Sequence, residues 1–161
     1  MKSCDRYSRT ESSQIYCDSS FLVALYLRTD HFSALAREVA DSFYQGIPYP
    51  WLTELELTTS LYRVLGTKRI TRHSFTEFFG AINDARAFLT PCALDQANLF
   101  RKALELSRRY TARHQCRTLD ILHVAAALEV EARSLASFDF RQRKLAISAG
   151  LNVLPENIPG S

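Results

Sequence analysis

Four acidic residues stand where the chain is expected to turn into a helix. Asp18 closes the short β-favouring run Gln14-Ile15-Tyr16-Cys17 and precedes Ser19-Ser20. Glu56 falls in the first turn of a helix expected to begin near Thr53, and Asp120 in the first turn of one expected near Thr118. Asp139 follows the apolar run Ser134-Leu135-Ala136-Ser137-Phe138 and precedes the last helix. Singly, each fits a capping role. Asp18 and Asp139 suit N-caps, Thr53-Glu54-Leu55-Glu56 has the T-x-x-E form of a capping box, and Asp120 complements a helix dipole. Together they suit different chemistry. Carboxylates crowded on one edge raise one another's pKa, and a hard divalent cation such as Mg²⁺ or Mn²⁺ removes that conflict. A cation so held, with water bound, can hydrolyse a phosphodiester.

The elements that must gather these acids follow from pattern. Gln14–Asp18 reads as a strand and Phe21–Leu27 as a short apolar helix. Phe32–Tyr44 carries Leu35, Val39 and Phe43 at i, i+4, i+8 and stops at Gly46. Ile47–Leu52 is extended, because Pro48 and Pro50 exclude a helix interior. Helices are expected around Leu57–Leu65 and over about 71–87, with a strand near 88–94 that Pro91 confines to an edge or an end. Helices at 96–113 and 119–131, a strand at 134–138, a helix at 142–149 and a last strand at 151–154 complete the order. Alternating strands and helices predict an α/β domain with a mostly parallel sheet covered on both faces. In such sheets the site lies beyond the carboxyl ends of the strands, which is where these acids stand.

The chain has 161 residues, of which 47% are hydrophobic and 23% charged, enough for one domain with a real core. No apolar run reaches the ~18–20 residues of a membrane span. The polar start MKSCDRYSRTESSQ lacks the apolar core of a secretory leader. Cys4, Cys17, Cys92 and Cys116 form no C-x-x-C pair. Reduced thiols and a cytoplasmic location are therefore expected. Residues 1–13 and 156–161 are expected to be tails around a single domain at 14–155. The formal charge of +3 is too small to diagnose a polyanionic partner, but its distribution is uneven. Arg63, Lys68, Arg69 and Arg72 lie in a stretch without an acid. Arg101, Lys102, Arg108, Arg109, Arg113 and Arg117 are opposed by Glu105 alone. Taken singly, each segment is expected to be a solvated helix face; together, in a chain of so small a net charge, they could form a phosphate-holding surface with salt-dependent affinity.

In this order and with these neighbours, the acids resemble those of PIN-domain ribonucleases, particularly the toxin of VapBC-type toxin–antitoxin pairs. The resemblance spans Ile15 to Leu154. It rests on I-Y-C-D-S-S-F-L-V-A-L-Y (15–26), L-E-L-T-T-S-L-Y-R (55–63), R-T-L-D-I-L-H-V-A-A-A-L (117–128) and S-F-D-F-R-Q-R-K-L-A-I-S-A-G-L (137–151), the last two being the most specific. It implies a three-layer α/β/α sandwich and a Mg²⁺- or Mn²⁺-dependent endoribonuclease, with water attacking phosphorus in line. Asp18, Glu56, Asp120 and Asp139 would hold the metal and carry the reaction. The stretch Ser60-Leu61-Tyr62-Arg63 selects Glu56 over Glu54 as the second acid, although helical periodicity alone leaves the two open. Ser137 stands where the family often has Thr. The resemblance further implies an RNA substrate, a homodimer, no membrane, and a cognate antitoxin that would pair a basic side chain with the acids.

Other residues are weighed on the same terms. His123, three residues after Asp120, is expected to pack or to support the site rather than ligate. Trp51 beside the extended segment is expected in the core, though it and Tyr49 could stack on bases. Arg63 serves equally in a surface ion pair or a phosphate contact. His114 and Cys116 lack the pair spacing of a zinc site. An aspartate-based phosphatase would need a second acid two residues after Asp18, where Ser20 stands. The remaining alternatives are a non-toxin RNA-processing nuclease of the same fold and a catalytically silent module that binds RNA or a partner.

Overall fold

A computed structural model describes residues 14–159 apart from 29, 44, 69 and 85–87. The expected N-terminal tail, 1–13, lies outside the described residues. The elements run β1 (Ile15–Cys17), α1 (Ser19–Tyr26), α2 (Ser33–Ala40), β2 (Ile47–Pro50), α3 (Trp51–Gly66), α4 (Arg72–Asp84), β3 (Leu89–Cys92), α5 (Gln96–His114), α6 (Thr118–Glu129), β4 (Ser134–Ala136), α7 (Phe140–Ser148) and β5 (Asn152–Leu154).

The described strands all pair in parallel, in two separate sheets. One has the order β1-β4-β5, with Tyr16 opposite Leu135 and Leu135 opposite Val153. The other pairs β2 with β3, Ile47 opposite Leu89. β2 lies alongside β1 without a ladder between them. The prolines supply the reason. Ile47 donates its N–H to the carbonyl of Phe88, just before β3, so the alternating positions 48 and 50 direct their amides the other way. Both are proline, with no N–H to give. Gly46 serves the same junction by close approach, since a Cβ there would meet Thr90 Oγ1 at 2.5 Å.

Successive strand residues point to opposite faces, and each face has its own core. Tyr16 and Leu135 enter a cluster with Leu99 and Leu106 of α5, Val124 of α6 and Leu145 of α7. Cys17 and Ala136 enter the other, with Phe21 and Leu22 of α1, Ala36 of α2, Leu57 and Leu61 of α3 and Phe78 of α4. The result is the expected three-layer α/β/α sandwich. Beyond β5, in the stretch expected to be a tail, Ile158 is buried. There the buried Arg143 guanidinium donates to the carbonyls of Ser137 (2.9 Å), Leu154 (3.1 Å), Pro155 (2.6 Å) and Glu156 (3.3 Å).

Two expectations are corrected. α3 starts at Trp51, immediately after Pro50 at the N-cap, and not near Thr53. Trp51 is therefore the first helical residue and is 47% exposed, while its neighbour Leu52 turns into the core. Trp51 is not a core residue.

Candidate active site

The chain reverses direction across the layer between β1 and β4, leaving β1 towards β2 and returning to β4 on its other side. Ligand crevices in open α/β sheets form at such a point. Asp18 leaves β1 there, and Ser137 and Asp139 leave β4.

Asp18 is the N-cap of α1 and is almost fully buried. Its Oδ1 accepts from Phe21 N (2.9 Å) and Ser20 Oγ (2.7 Å), and its Oδ2 accepts from Ser137 Oγ (2.6 Å) and, at 3.0 Å, from the same Ser20 hydroxyl. Burial pushes its carboxyl above the ordinary carboxylate range, against the opposing pull of His123 and of these hydrogen bonds. Ser137 and Ser20 extend the link to the strand on the other side. Ser137 Oγ accepts from Asp139 N (3.0 Å), and Ser20 Oγ accepts from Phe138 N (2.9 Å).

Asp139 caps α7 through one oxygen: its Oδ1 accepts from Arg141 N (2.8 Å) and Gln142 N (3.2 Å). Asp120, buried at the third position of α6, accepts from Arg117 N at Oδ2 (2.7 Å). Asp120 and Asp139 share a neighbourhood. Burial first, and then these two acids, push the Cys116 thiol up, while Arg141 pulls it down.

Glu56 departs from the capping reading. With α3 starting at Trp51 it lies in the second turn, beyond the reach of an N-terminal amide. Thr53 is no cap either, since its hydroxyl lies 2.8 Å from the Tyr16 hydroxyl. Glu56 instead takes two side-chain donors on one oxygen: Ser19 Oγ at 2.6 Å and the Nε2 of His123, both to Oε2. Burial works to raise its carboxyl, but the His123 hydrogen bond, the His123 charge and Ser19 outweigh it and hold Glu56 below the usual range. The other ring nitrogen of His123, Nδ1, lies 2.8 Å from the Tyr16 hydroxyl. Burial drives the Tyr16 phenol far up, so it stays protonated. Glu54 is exposed and borders a separate groove of about 300 Å³ with Tyr49, Phe78 and Phe79. Between the two candidates for the second acid, the structure brings Glu56 and not Glu54 to Ser19 and His123.

Sequence reasoning named the acids and Ser137 but missed Ser19, Tyr16 and Thr53 as their partners. Tyr16 and Thr53 lie at inward positions of β1 and α3 and read as core. Only a hydroxyl at such a place, in need of a buried partner, could have signalled them.

A common pattern unites three of the acids. Each has one oxygen tied to a protein donor, while the other, Glu56 Oε1, Asp120 Oδ1 or Asp139 Oδ2, takes no hydrogen bond from the described residues. None of these oxygens is both buried and unsatisfied. Among the described residues, no three His, Cys, Asp or Glu side chains are gathered closely enough to enclose an ion directly. Fixed carboxylate oxygens in an open arrangement fit a hydrated Mg²⁺ or Mn²⁺, which takes one or two carboxylates and keeps several waters. Arg117, the N-cap of α6, and Arg141, in the first turn of α7, bring positive charge to this edge.

A family model for the PIN domain matches residues 15–148. The chain belongs to the PIN-domain family. Solved structures share the fold at low identity. VapC20 of Mycobacterium tuberculosis, described as a toxin cleaving the sarcin–ricin loop, aligns at 20% identity and a TM-score of 0.65, covering 91% of this chain and 100% of its own. PAE2754 of Pyrobaculum aerophilum aligns at 13% identity and a TM-score of 0.56, covering 88% and 91%. VapBC-1 of nontypeable Haemophilus influenzae aligns at 12% identity and a TM-score of 0.55, covering 87% and 96%. A search of curated protein sequences gave no match. No helix among the described residues is long and apolar enough to cross a membrane.

Proposed function

We propose that this PIN domain, folded over residues 14–155, is a metal-dependent endoribonuclease and the toxin of a toxin–antitoxin pair. The observation that carries the reading is the set of acids at the carboxyl edge, three of which hold one oxygen fixed and the other free. Glu56, Asp120 and Asp139 would hold Mg²⁺ or Mn²⁺ through those free oxygens, with Asp18 supplying negative charge from beneath. The cation would supply Lewis-acid charge at the phosphate and an acidified water. The chain's own residues do the positioning. Ser20 and Ser137 fix Asp18, Arg117 N fixes Asp120, and the first amides of α7 fix Asp139. Arg117, Arg141 and the arginines of α5 draw the RNA backbone to this edge.

Two of the structures that share the fold carry toxin–antitoxin names, and one is described as cutting RNA at the sarcin–ricin loop. By analogy this chain acts in the cytoplasm on a structured RNA, as a homodimer. It is opposed by an antitoxin that offers a basic side chain to the free carboxylate oxygens.

The test is cleavage of a pool of structured RNAs by purified protein with Mg²⁺, with Mn²⁺ and with EDTA, beside Asp18→Asn and Asp120→Asn of confirmed fold. Metal-dependent cutting lost in both variants is expected. RNA binding without cutting, unchanged by the substitutions, would instead identify a silent binding module.

A further inference from the structure

The chain Thr53–Tyr16–His123–Glu56 is more than core packing. It crosses both faces of the fold, with Tyr16 on β1, Thr53 and Glu56 on α3, and His123 on α6 one turn after Asp120. Every link is a hydrogen-bond contact among nearly or fully buried groups until it ends on a carboxylate at the site. With Nε2–H donating to Glu56, the contact of Nδ1 with the Tyr16 hydroxyl, and of that hydroxyl with Thr53, holds the imidazole from behind. Ser19 Oγ adds a second donor to the same Glu56 oxygen.

We propose that His123, backed by Tyr16 and Thr53, is a positioning residue that makes Glu56 a one-oxygen ligand and so sets which cation the site accepts. This rests on the reading of the acids as a metal site. With Oε2 saturated by Ser19 and His123, only Oε1 faces an ion. A carboxylate restricted to one oxygen suits the tight octahedral shell of Mg²⁺. A carboxylate free to chelate through both oxygens suits the larger, more adaptable Ca²⁺. Loss of the imidazole frees Oε2 and lets Glu56 rotate. Partners one step behind a metal ligand typically account for 10–100-fold in metal affinity or activity.

The experiment is calorimetric titration of the full chain with Mg²⁺ and, separately, Ca²⁺, with RNA cleavage against Mg²⁺ concentration alongside. The variants are His123→Leu, His123→Gln, Tyr16→Phe, Glu56→Gln and the double variant His123→Leu with Glu56→Gln. His123→Leu is expected to weaken Mg²⁺ about 10-fold or more, with a smaller effect on Ca²⁺. His123→Gln, which keeps a donor near Glu56, should recover much of the loss. Tyr16→Phe, which preserves the ring packing, should fall between. In the Glu56→Gln background, His123→Leu should add nothing further. A folded His123→Leu with unchanged Mg²⁺ affinity, or a loss fully additive with Glu56→Gln, overturns the positioning role alone. A parent that binds neither cation overturns the metal-site reading, and the positioning role with it.

Discussion

Replacing Asp18 with Asn should make the metal-free protein more stable while abolishing its activity. The carboxylate is 2% exposed and accepts from three donors, Phe21 N, Ser20 Oγ and Ser137 Oγ. Asn keeps the first two through its remaining oxygen and loses the Ser137 bond, about 1 kcal/mol. Against that loss stands the removal of a buried charge with no cation to balance it, a penalty of several kcal/mol reduced by those same hydrogen bonds. The net gain is on the order of 1 kcal/mol, which raises Tm by about 2–4 °C for a domain of this size. Its sign with pH follows from the raised carboxyl. The folded state holds this proton more tightly than the unfolded chain. Asp18 therefore lowers stability as pH rises from the ordinary carboxylate range through its folded value, and the full penalty is present above it. The advantage of Asn should thus grow as pH rises above the ordinary carboxylate range and vanish in acid. Scanning calorimetry in EDTA at several pH values, repeated with Mg²⁺, measures both effects. Mg²⁺ should raise the Tm of the parent and leave the variant little changed. A variant less stable than the parent in EDTA at neutral pH would refute the reasoning, because the hydrogen bonds would then outweigh the desolvation of the charge.

Three further outcomes are expected. Under the proposed metal-site reading, Glu56→Gln should reduce RNA cleavage by at least the ~10–100-fold typical of partners one step behind a ligand, whereas Glu54→Gln should leave kcat/KM within about twofold; cleavage rates at saturating Mg²⁺ decide between them. Arg143→Met leaves the carbonyls of Ser137 and Pro155 without this donor and removes one of two donors to Leu154 O, at a cost of about 3 kcal/mol, and Arg143→Lys should restore only part of it in chemical denaturation. Arg108 and Arg109 are exposed on α5 and have no carboxylate partner among the described residues. Replacing both with Ala should flatten the dependence of single-stranded RNA binding on salt by about 1.4 in the log–log slope, as read by anisotropy from low to moderate salt.

The order and kind of the elements were legible because strand and helix periods differ and because prolines and glycines punctuate them. Pro48 and Pro50 marked β2 correctly, yet the same residues hid the split in the sheet, which depends on the direction of each missing amide. Asp18, Asp120 and Asp139 all accept backbone amides at helix starts, as caps do, and a carboxylate that caps through one oxygen, as Asp120 and Asp139 do, keeps the other for a second role, so the sequence could not separate the two readings. The T-x-x-E capping box weighed for Thr53 and Glu56 does not form, because α3 is capped at Pro50 and starts at Trp51. His123 was expected to support the site, but its partner could not be named. The contact with Glu56 joins residues 67 apart in the chain, a separation no local pattern reports.

The break between the two ladders has a consequence for how the site comes into being. Among the described residues no ladder joins β2 and β3 to β1, so the molecule has a seam along the edge of β1. Glu56 hangs from α3, directly after β2, whereas Asp18, Asp120 and Asp139 belong to elements flanking β1 and β4. The seam therefore passes between one acid and the other three. The contacts of Ser19 and His123 with Glu56 are stitches across it. Opening along that line would part Glu56 from the other three acids and split the core that α3 and α4 share with β1 and β4, and a cation gripping both sides would oppose it.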